Sequence, residues 1–426
     1  MIIHQPEIII QENHTIAWAK IELDKPRQGF PEYLWFRVPN RFANYLSQQI
    51  DAFLLPALQA AMHFGEDLQV RGAVSPQLAY NLEEYQFVQS FHFPKELRQV
   101  SVVYERLEPL KADPKAVGVA FSAGVDSFYA LFKHLPQNQP IPGYQVTHAL
   151  FINGFDLTQP DRGKYQHLLT HYQKLLADLN IELVPLETNL TGTVVPWLEY
   201  RLFYAPALLG CIHILANRFG RFIVSNSRDY TQPQVNSTPL ADRLLSTETL
   251  DLIHFGATVQ REEKIREISG WPPAQQNLRV CGIPNVEAQN CSRCEKCLRS
   301  MLPIYALGKM RDFQTFTEPL KNDRSGLRLA PVFDPYSDHT PTNTAFFKRH
   351  KPGLLPWLRA AALLGGIRFW LMRCLRFLLV RFTPQFIKDR LKQSRYYLTK
   401  FRHPYAFDNP DIIQRLSHPR RYGYKE

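Results

Sequence analysis

The chain has 426 residues, 45% hydrophobic and 12% aromatic, which excludes a disordered protein and leaves room for two or three domains with a sizeable core. Its net charge of +11 is concentrated: residues 351–426 hold 16 Lys/Arg against four Asp/Glu, so the first 350 residues are nearly neutral. That placement removes the argument that the body of the chain binds nucleic acid through a basic surface. From the N-terminus, Glu7–Ile10, Thr15–Leu23 and Tyr33–Val38 predict strands, and Ala43–Met62 predicts a helix. A further strand–helix pair follows, and Val100–Arg106 closes an α+β domain over residues 1–112 that carries no recognisable chemical motif. After a linker at Pro109–Pro114 the pattern becomes an alternation: Val117–Phe121, Phe128–Leu135, His148–Ile152, Lys164–Asn180, Glu182–Leu186, Trp197–Arg218 and Phe222–Ser225. Strands and helices in that order predict a parallel sheet with crossover helices on both faces over residues 113–328, with ligands at the carboxyl ends of the strands. Past a Pro- and Asp-rich loop at Leu329–Pro341, residues 329–426 predict a basic helical extension. The fold class expected is therefore α/β, a parallel-sheet domain flanked by an N-terminal α+β domain and that extension.

Within the alternating region, Ser122-Ala-Gly-Val-Asp-Ser127 falls between a strand and a helix. A sharp strand-to-helix turn leaves N–H groups unpaired at the helix N-terminus, where the helix dipole favours an anion. Ser122 and Ser127 add hydroxyl donors, and Gly124 lets the backbone approach a phosphate closely. Asp126, an acid beside an anion site, makes sense if it holds a metal ion or orients the loop. Downstream, three of the six cysteines form Cys291-x-x-Cys294-x-x-Cys297, with Cys281 ten positions before Cys291. Four thiolates at this spacing suit a tetrahedral zinc site, with an iron–sulfur cluster as the competing reading. Met1-Ile-Ile-His-Gln-Pro has no secretory pattern, so a cytoplasmic, thiol-reducing setting is expected and disulfides are not. Cys211 and Cys374, in apolar surroundings, are expected to be buried bystanders.

The Ser122–Ser127 stretch resembles the S-G-G-x-D-S loop of the N-type PP-loop ATP pyrophosphatases, with Ala123 in place of the first of two glycines. Alanine does not readily adopt a positive φ, so the loop is slightly altered. A PP-loop followed by the four-cysteine pattern is similar to 7-cyano-7-deazaguanine synthase and its relatives, over about residues 115–310. The wording Asn290-Cys-Ser-Arg-Cys-Glu-Lys-Cys-Leu-Arg-Ser-Met301 resembles a divergent branch of that group.

The resemblance implies a ligase or synthase that uses ATP and Mg2+ and holds a structural Zn2+ on Cys281, Cys291, Cys294 and Cys297. A carboxylate or amide oxygen of a small-molecule or modified-base substrate would attack the α-phosphorus. Pyrophosphate would leave into the loop formed by Ser122, Ala123, Gly124, Val125, Asp126 and Ser127. A nitrogen donor such as ammonia would then displace AMP, giving an amide or nitrile. Ile152 and Asn153, after the second strand of the region, would meet the adenine; an ordinary Asn-Gly turn is the competing reading. Asn226 and Ser227 offer polar groups to a substrate from a later strand end, while Asp242 and Ser246 make a weaker case. Arg261 and Lys264 would join Asp126 as catalytic groups by neutralising phosphate charge as the adenylate forms, a solvated helix face being the alternative. Trp197 is expected in the core. Two other functions stand beside the ligase: an RNA-modifying enzyme that thiolates or aminates a base, and a non-catalytic nucleotide-sensing or scaffold protein.

The extension contains Leu354–Phe382, apolar but interrupted by Arg359, Arg368, Arg373, Arg376 and Arg381. Its longest uncharged piece, Ala360–Ile367, is far below the roughly 20 residues that span a bilayer. At 100° per residue, all but Arg368 of these arginines fall on one arc, the pattern of a helix lying on an anionic membrane surface. That reading places the protein peripherally on the inner face of the membrane. A helix packed on the core and an RNA-binding extension, with Tyr396, Tyr397, Phe401 and Tyr405 as stacking surfaces, are the alternatives.

Overall fold

The central strands are mostly apolar runs buried at successive positions, as in Ala116–Ala120 and His148–Asn153, which is the pattern of a sheet covered on both faces. The structure, a computed structural model, describes residues 1–155, 162–194, 197–230, 237–281, 289–292, 294–318, 320 and 339–382. The N-terminal segment supplies β1 (Ile2–Ile3), β2 (Glu7–Ile10), β3 (His14–Glu22), β4 (Tyr33–Pro39), α1 (Asp51–Phe64), β5 (Leu68–Val74), α2 (Pro76–His92) and β6 (Val102–Leu107). The expected helix Ala43–Met62 is split. A 3-10 turn over Asn40–Tyr45 ends at Leu46, whose backbone is extended, and α1 starts only at Asp51. Tertiary bonds favour the break: Ser47 N donates to the Ile214 carbonyl at 2.7 Å, and Asn217 Nδ2 donates to the Leu46 carbonyl at 2.7 Å. Local helical bonds there lose to cross-chain ones.

The second segment runs β7 (Ala116–Ala120), α3 (Val125–Lys133), β8 (His148–Asn153), α4 (Arg162–Ala177), β9 (Glu182–Thr188), α5 (Leu190–Val194), α6 (Tyr200–His213), β10 (Phe219–Ser225), α7 (Pro239–Leu244) and β11 (Asp251–Phe255). It ends in α8 (Arg261–Ile268), α9 (Pro272–Asn277), α10 (Glu295–Ala306), α11 (His339–His350) and α12 (Leu355–Phe382). The chain is thus α/β with a large, mostly parallel sheet, of order β11-β10-β7-β8-β9-β4-β3-β1-β5-β6, with β2 also on β3. Strands β11 to β9 are mutually parallel, and β9 meets β4 antiparallel through Phe36↔Thr188 and Arg37↔Glu187. Arg37 clasps Glu187 with two hydrogen bonds, 2.7 and 3.2 Å, across that seam.

One apolar core lies under α1, α2 and α6 and draws on both segments; the other lies under α3, α4, α8, α10 and α11. Helices α1 and α6 pack closely because Gly210 has no side chain: a Cβ there would stand 2.6 Å from the Ala52 carbonyl oxygen. Trp197 packs edge-on to Phe64. Cys211 is fully buried, as expected, but Cys374 is exposed, because α12 runs past the core that holds its first turns. No helix among the described residues is long and apolar enough to cross a membrane. Most of the Leu329–Pro341 loop, the side chains of Arg368, Arg373, Arg376 and Arg381, and the residues from 383 onward, including Tyr396, Tyr397, Phe401 and Tyr405, lie outside the described residues.

Candidate functional site

Strand order reverses at β7: β8 lies on one side and β10 on the other, so the crevice beyond their carboxyl ends opens where the following loops part. The chain leaves the sheet after Phe121, whose N–H still donates to the Leu150 carbonyl at 2.9 Å. Ala123 then takes a φ of +59°, the left-handed region, with its methyl fully buried. This is the residue that replaces a glycine, and the conformation costs an alanine about 1 kcal/mol. Gly124, by contrast, has φ −80° and serves as the N-cap of α3, with no side chain capping the helix. The N–H groups of the first turn of α3 are therefore left to the loop's concave side. Ser127 Oγ donates to the Gly124 carbonyl at 3.1 Å, and Ser122 Oγ lies 3.4 Å from Ser127 Oγ.

A half-open cleft with about 160 Å3 of internal space opens at this point. Its polar wall carries Ser122, Asp126, Ser127, Ser225, Ser227 and Arg279; its apolar wall includes Ile152, Phe155, Tyr200, Tyr204 and Leu208. Ala123 and Val125 point into the core. Ser225 Oγ is buried with no hydrogen-bond partner among the described residues.

Among the described residues Asp126 is the acid on the cleft wall, and both its oxygens are engaged: Arg261 Nη1 donates to Oδ2, and Lys264 Nζ lies 3.1 Å from Oδ1. Burial pushes this carboxyl up, but the charges of Arg261 and Lys264 outweigh it and hold it below its ordinary value. Lys264, 2% exposed, also donates to the Asn226 carbonyl at 2.5 Å. Neither Arg261 nor Lys264 lines the cleft: both stand behind Asp126 and fix it. The cation that does line it is Arg279, which sequence reasoning missed. It is 8% exposed, and its Nε is buried without a hydrogen-bond partner among the described residues. No acid is paired with this guanidinium among the described residues, so it can serve an anion that enters the cleft.

Other expected residues separate in the same way. Ile152 and Ser227 line the cleft. Asn153 is fully buried, and its Nδ2 donates to Glu187 Oε2 at 3.1 Å, behind the cleft. The Asn226 side chain closes a turn on the backbone of Arg228. Asp242 Oδ2 pairs with His254 Nδ1 at 2.7 Å, and Ser246 Oγ accepts from Leu252 N at 3.0 Å, so both brace α7 and β11.

The four cysteines converge. The Sγ atoms of Cys281, Cys291, Cys294 and Cys297 all lie within 4.8 Å of one another, with separations of 3.4, 3.8 and 3.9 Å among them. A tetrahedron with Zn–S of about 2.3 Å has edges of about 3.8 Å, so the cluster is able to hold a metal ion such as zinc. Ser292 at φ +59° makes the knuckle, and α10 starts just after Cys294, placing Cys297 in its first turn. Burial pushes the Cys294 and Cys297 thiols up; a bound dication reverses that preference.

Asn290 ties this cluster to the cleft. Its Oδ1 accepts from Val280 N at 2.8 Å and Cys281 N at 3.1 Å, while its Nδ2 donates to the Leu278 carbonyl at 2.7 Å. The same segment carries Arg279, whose own N–H donates to the Ala123 carbonyl at 2.8 Å. One short stretch therefore links the cysteine cluster, the cleft cation and the Ser122–Ser127 loop. No protein-family model, curated protein or solved structure matches this chain.

Proposed function

We propose that this protein is an ATP-dependent ligase or synthase that forms AMP and pyrophosphate. The observation that carries the reading is the set of anion-seeking groups at one point: the uncapped start of α3, the hydroxyls of Ser122 and Ser127, and the Arg279 guanidinium. Together they suit the β- and γ-phosphates of a nucleoside triphosphate. The apolar wall at Ile152, Phe155 and Tyr204 suits a flat heterocycle.

With the phosphates anchored there, the α-phosphorus faces the middle of the cleft. A carboxylate or amide oxygen of the substrate attacks it, a new O–P bond forms, and the bond from the α-phosphorus to the bridging oxygen of pyrophosphate breaks. From a carboxylate, a nitrogen nucleophile such as ammonia then displaces AMP to give an amide; from a primary amide, AMP and the protons on its nitrogen leave to give a nitrile. The chain's own residues position these groups and offset charge. Asp126, held by two cations, fits poorly as a direct Mg2+ ligand. Mg2+ would enter with the nucleotide and would supply charge neutralisation, while Asp126 keeps the loop and the head of α8 in register. Zn2+ held by Cys281, Cys291, Cys294 and Cys297 would stiffen the segment that carries Arg279.

Incubating the protein with ATP, Mg2+, ammonium and a panel of carboxylates tests the reaction. AMP and pyrophosphate in equal amounts are expected, dependent on one member of the panel. Release of ADP and phosphate would overturn the adenylation chemistry.

A further inference from the structure

Helix α12 starts on the body and then leaves it. Its first turns bury Leu358 and Ala361, 1% and 4% exposed, in the core shared with α10 and α11. Beyond Ala362 the pattern inverts. Leu363, Leu364, Ile367, Trp370 and Leu371 are 67%, 57%, 49%, 51% and 65% exposed. At 100° per residue these five fall on an arc of about 120°, roughly opposite the buried seam. Cys374, also exposed, extends it. Single exposed leucines need no explanation, but a contiguous apolar stripe facing away from the rest of the described residues does.

Charge decides what covers it. The segment 351–426 carries 16 Lys/Arg against four Asp/Glu, so a second copy would bring the same positive charge. The partner must be both anionic and apolar. A bilayer surface with anionic headgroups is both, while a nucleic acid supplies charge without an apolar phase to receive leucines. The helix does not qualify as a membrane span. Its 28 residues make a rod of about 42 Å, long enough to lie in the headgroup plane with the stripe facing the acyl chains.

We propose that α12 is an interfacial helix that docks this protein on anionic membranes. The inference is independent of the chemistry in the cleft.

Full-length protein is sedimented with phosphatidylcholine vesicles, with and without phosphatidylglycerol, at low and high salt. Binding is expected to the anionic vesicles and to weaken with salt. The variant Leu363→Glu/Ile367→Glu/Leu371→Glu, all at exposed positions, should melt at the wild-type temperature and lose at least about tenfold in vesicle affinity. Tryptophan emission should shift to the blue on binding, and Trp370→Phe should remove most of that shift. Equal vesicle binding by the triple variant would overturn the proposal. So would binding of a polyuridine RNA in place of vesicles, or a dimer without vesicle binding that the triple variant dissociates.

Discussion

Ala123 shows how a single side chain both hides and reveals a loop. In the sequence it interrupts a glycine pair; in the structure it occupies the left-handed region that glycine would favour, and the loop closes anyway. Glycine there would relieve about 1 kcal/mol of strain, lose about 0.8 kcal/mol of methyl burial, and loosen the unfolded chain. Ala123→Gly is therefore expected to move unfolding stability by less than about 1 kcal/mol in a denaturant titration. Arg279 marks what the residue scale leaves unread in sequence: Arg261, Lys264 and Arg279 look alike as letters. Only packing shows that the first two are spent on Asp126 while the third faces the cleft. Asp51 supplies a pH test. Burial, and then the charge of Glu248, push its carboxyl up to about 7, against the opposing Ser75 N–H bond. A carboxyl raised on folding binds more protons in the native state, so its contribution falls as pH rises from about 4 to 7. Between pH 5 and pH 8 the wild type should lose about 2–3 kcal/mol of stability relative to Asp51→Asn. Parallel stability profiles for the two proteins would contradict that assignment.

At the scale of elements, strands and helices with strong periodicity were legible: the starts of β8 and β9 and the end of β10 stand where the apolar runs put them. Misses trace to contacts made far along the chain. Strand β11 carries Asp251 and His254, and its pairing with β10 rather than its own composition makes it a strand. The split before α1 reflects bonds to residues 214 and 217, far off in sequence. The cysteine spacing announced a metal cluster, but its link to Arg279 through Asn290 runs through side-chain bonds that no spacing encodes. That link predicts an action at a distance. Cys291→Ser is expected to reduce bound zinc, measured by elemental analysis, and also to weaken ATP binding by about tenfold, the loss of one charge-assisted contact. Loss of zinc with unchanged nucleotide affinity would uncouple the two.

Across the whole molecule, the boundary expected near residue 112 coincides with a change of pattern, yet the sheet and one apolar core continue across it. Periodicity reports the faces of single strands, whereas the β4–β9 pairing that joins the two segments depends on Arg37 and Glu187, 150 residues apart. A chain limited to 113–382 would expose the β9 edge and the α6 face that α1 covers, so it is expected to aggregate when expressed alone. Thermal unfolding of the full chain should accordingly show one transition for both segments by circular dichroism and tryptophan emission.

We infer that the loop before α3, with Arg279, grips the phosphates of ATP. Equilibrium binding of a non-hydrolysable ATP analogue with Mg2+ tests it most directly, using wild type, Arg279→Ala and Gly124→Ala. Gly124 has negative φ, and an added Cβ would meet only Ser122 Oγ at 3.3 Å and the Arg279 carbonyl at 3.9 Å, so that variant should fold normally. The account predicts affinities at least about tenfold weaker for both variants at wild-type melting temperatures. Equal affinity in all three proteins would contradict it.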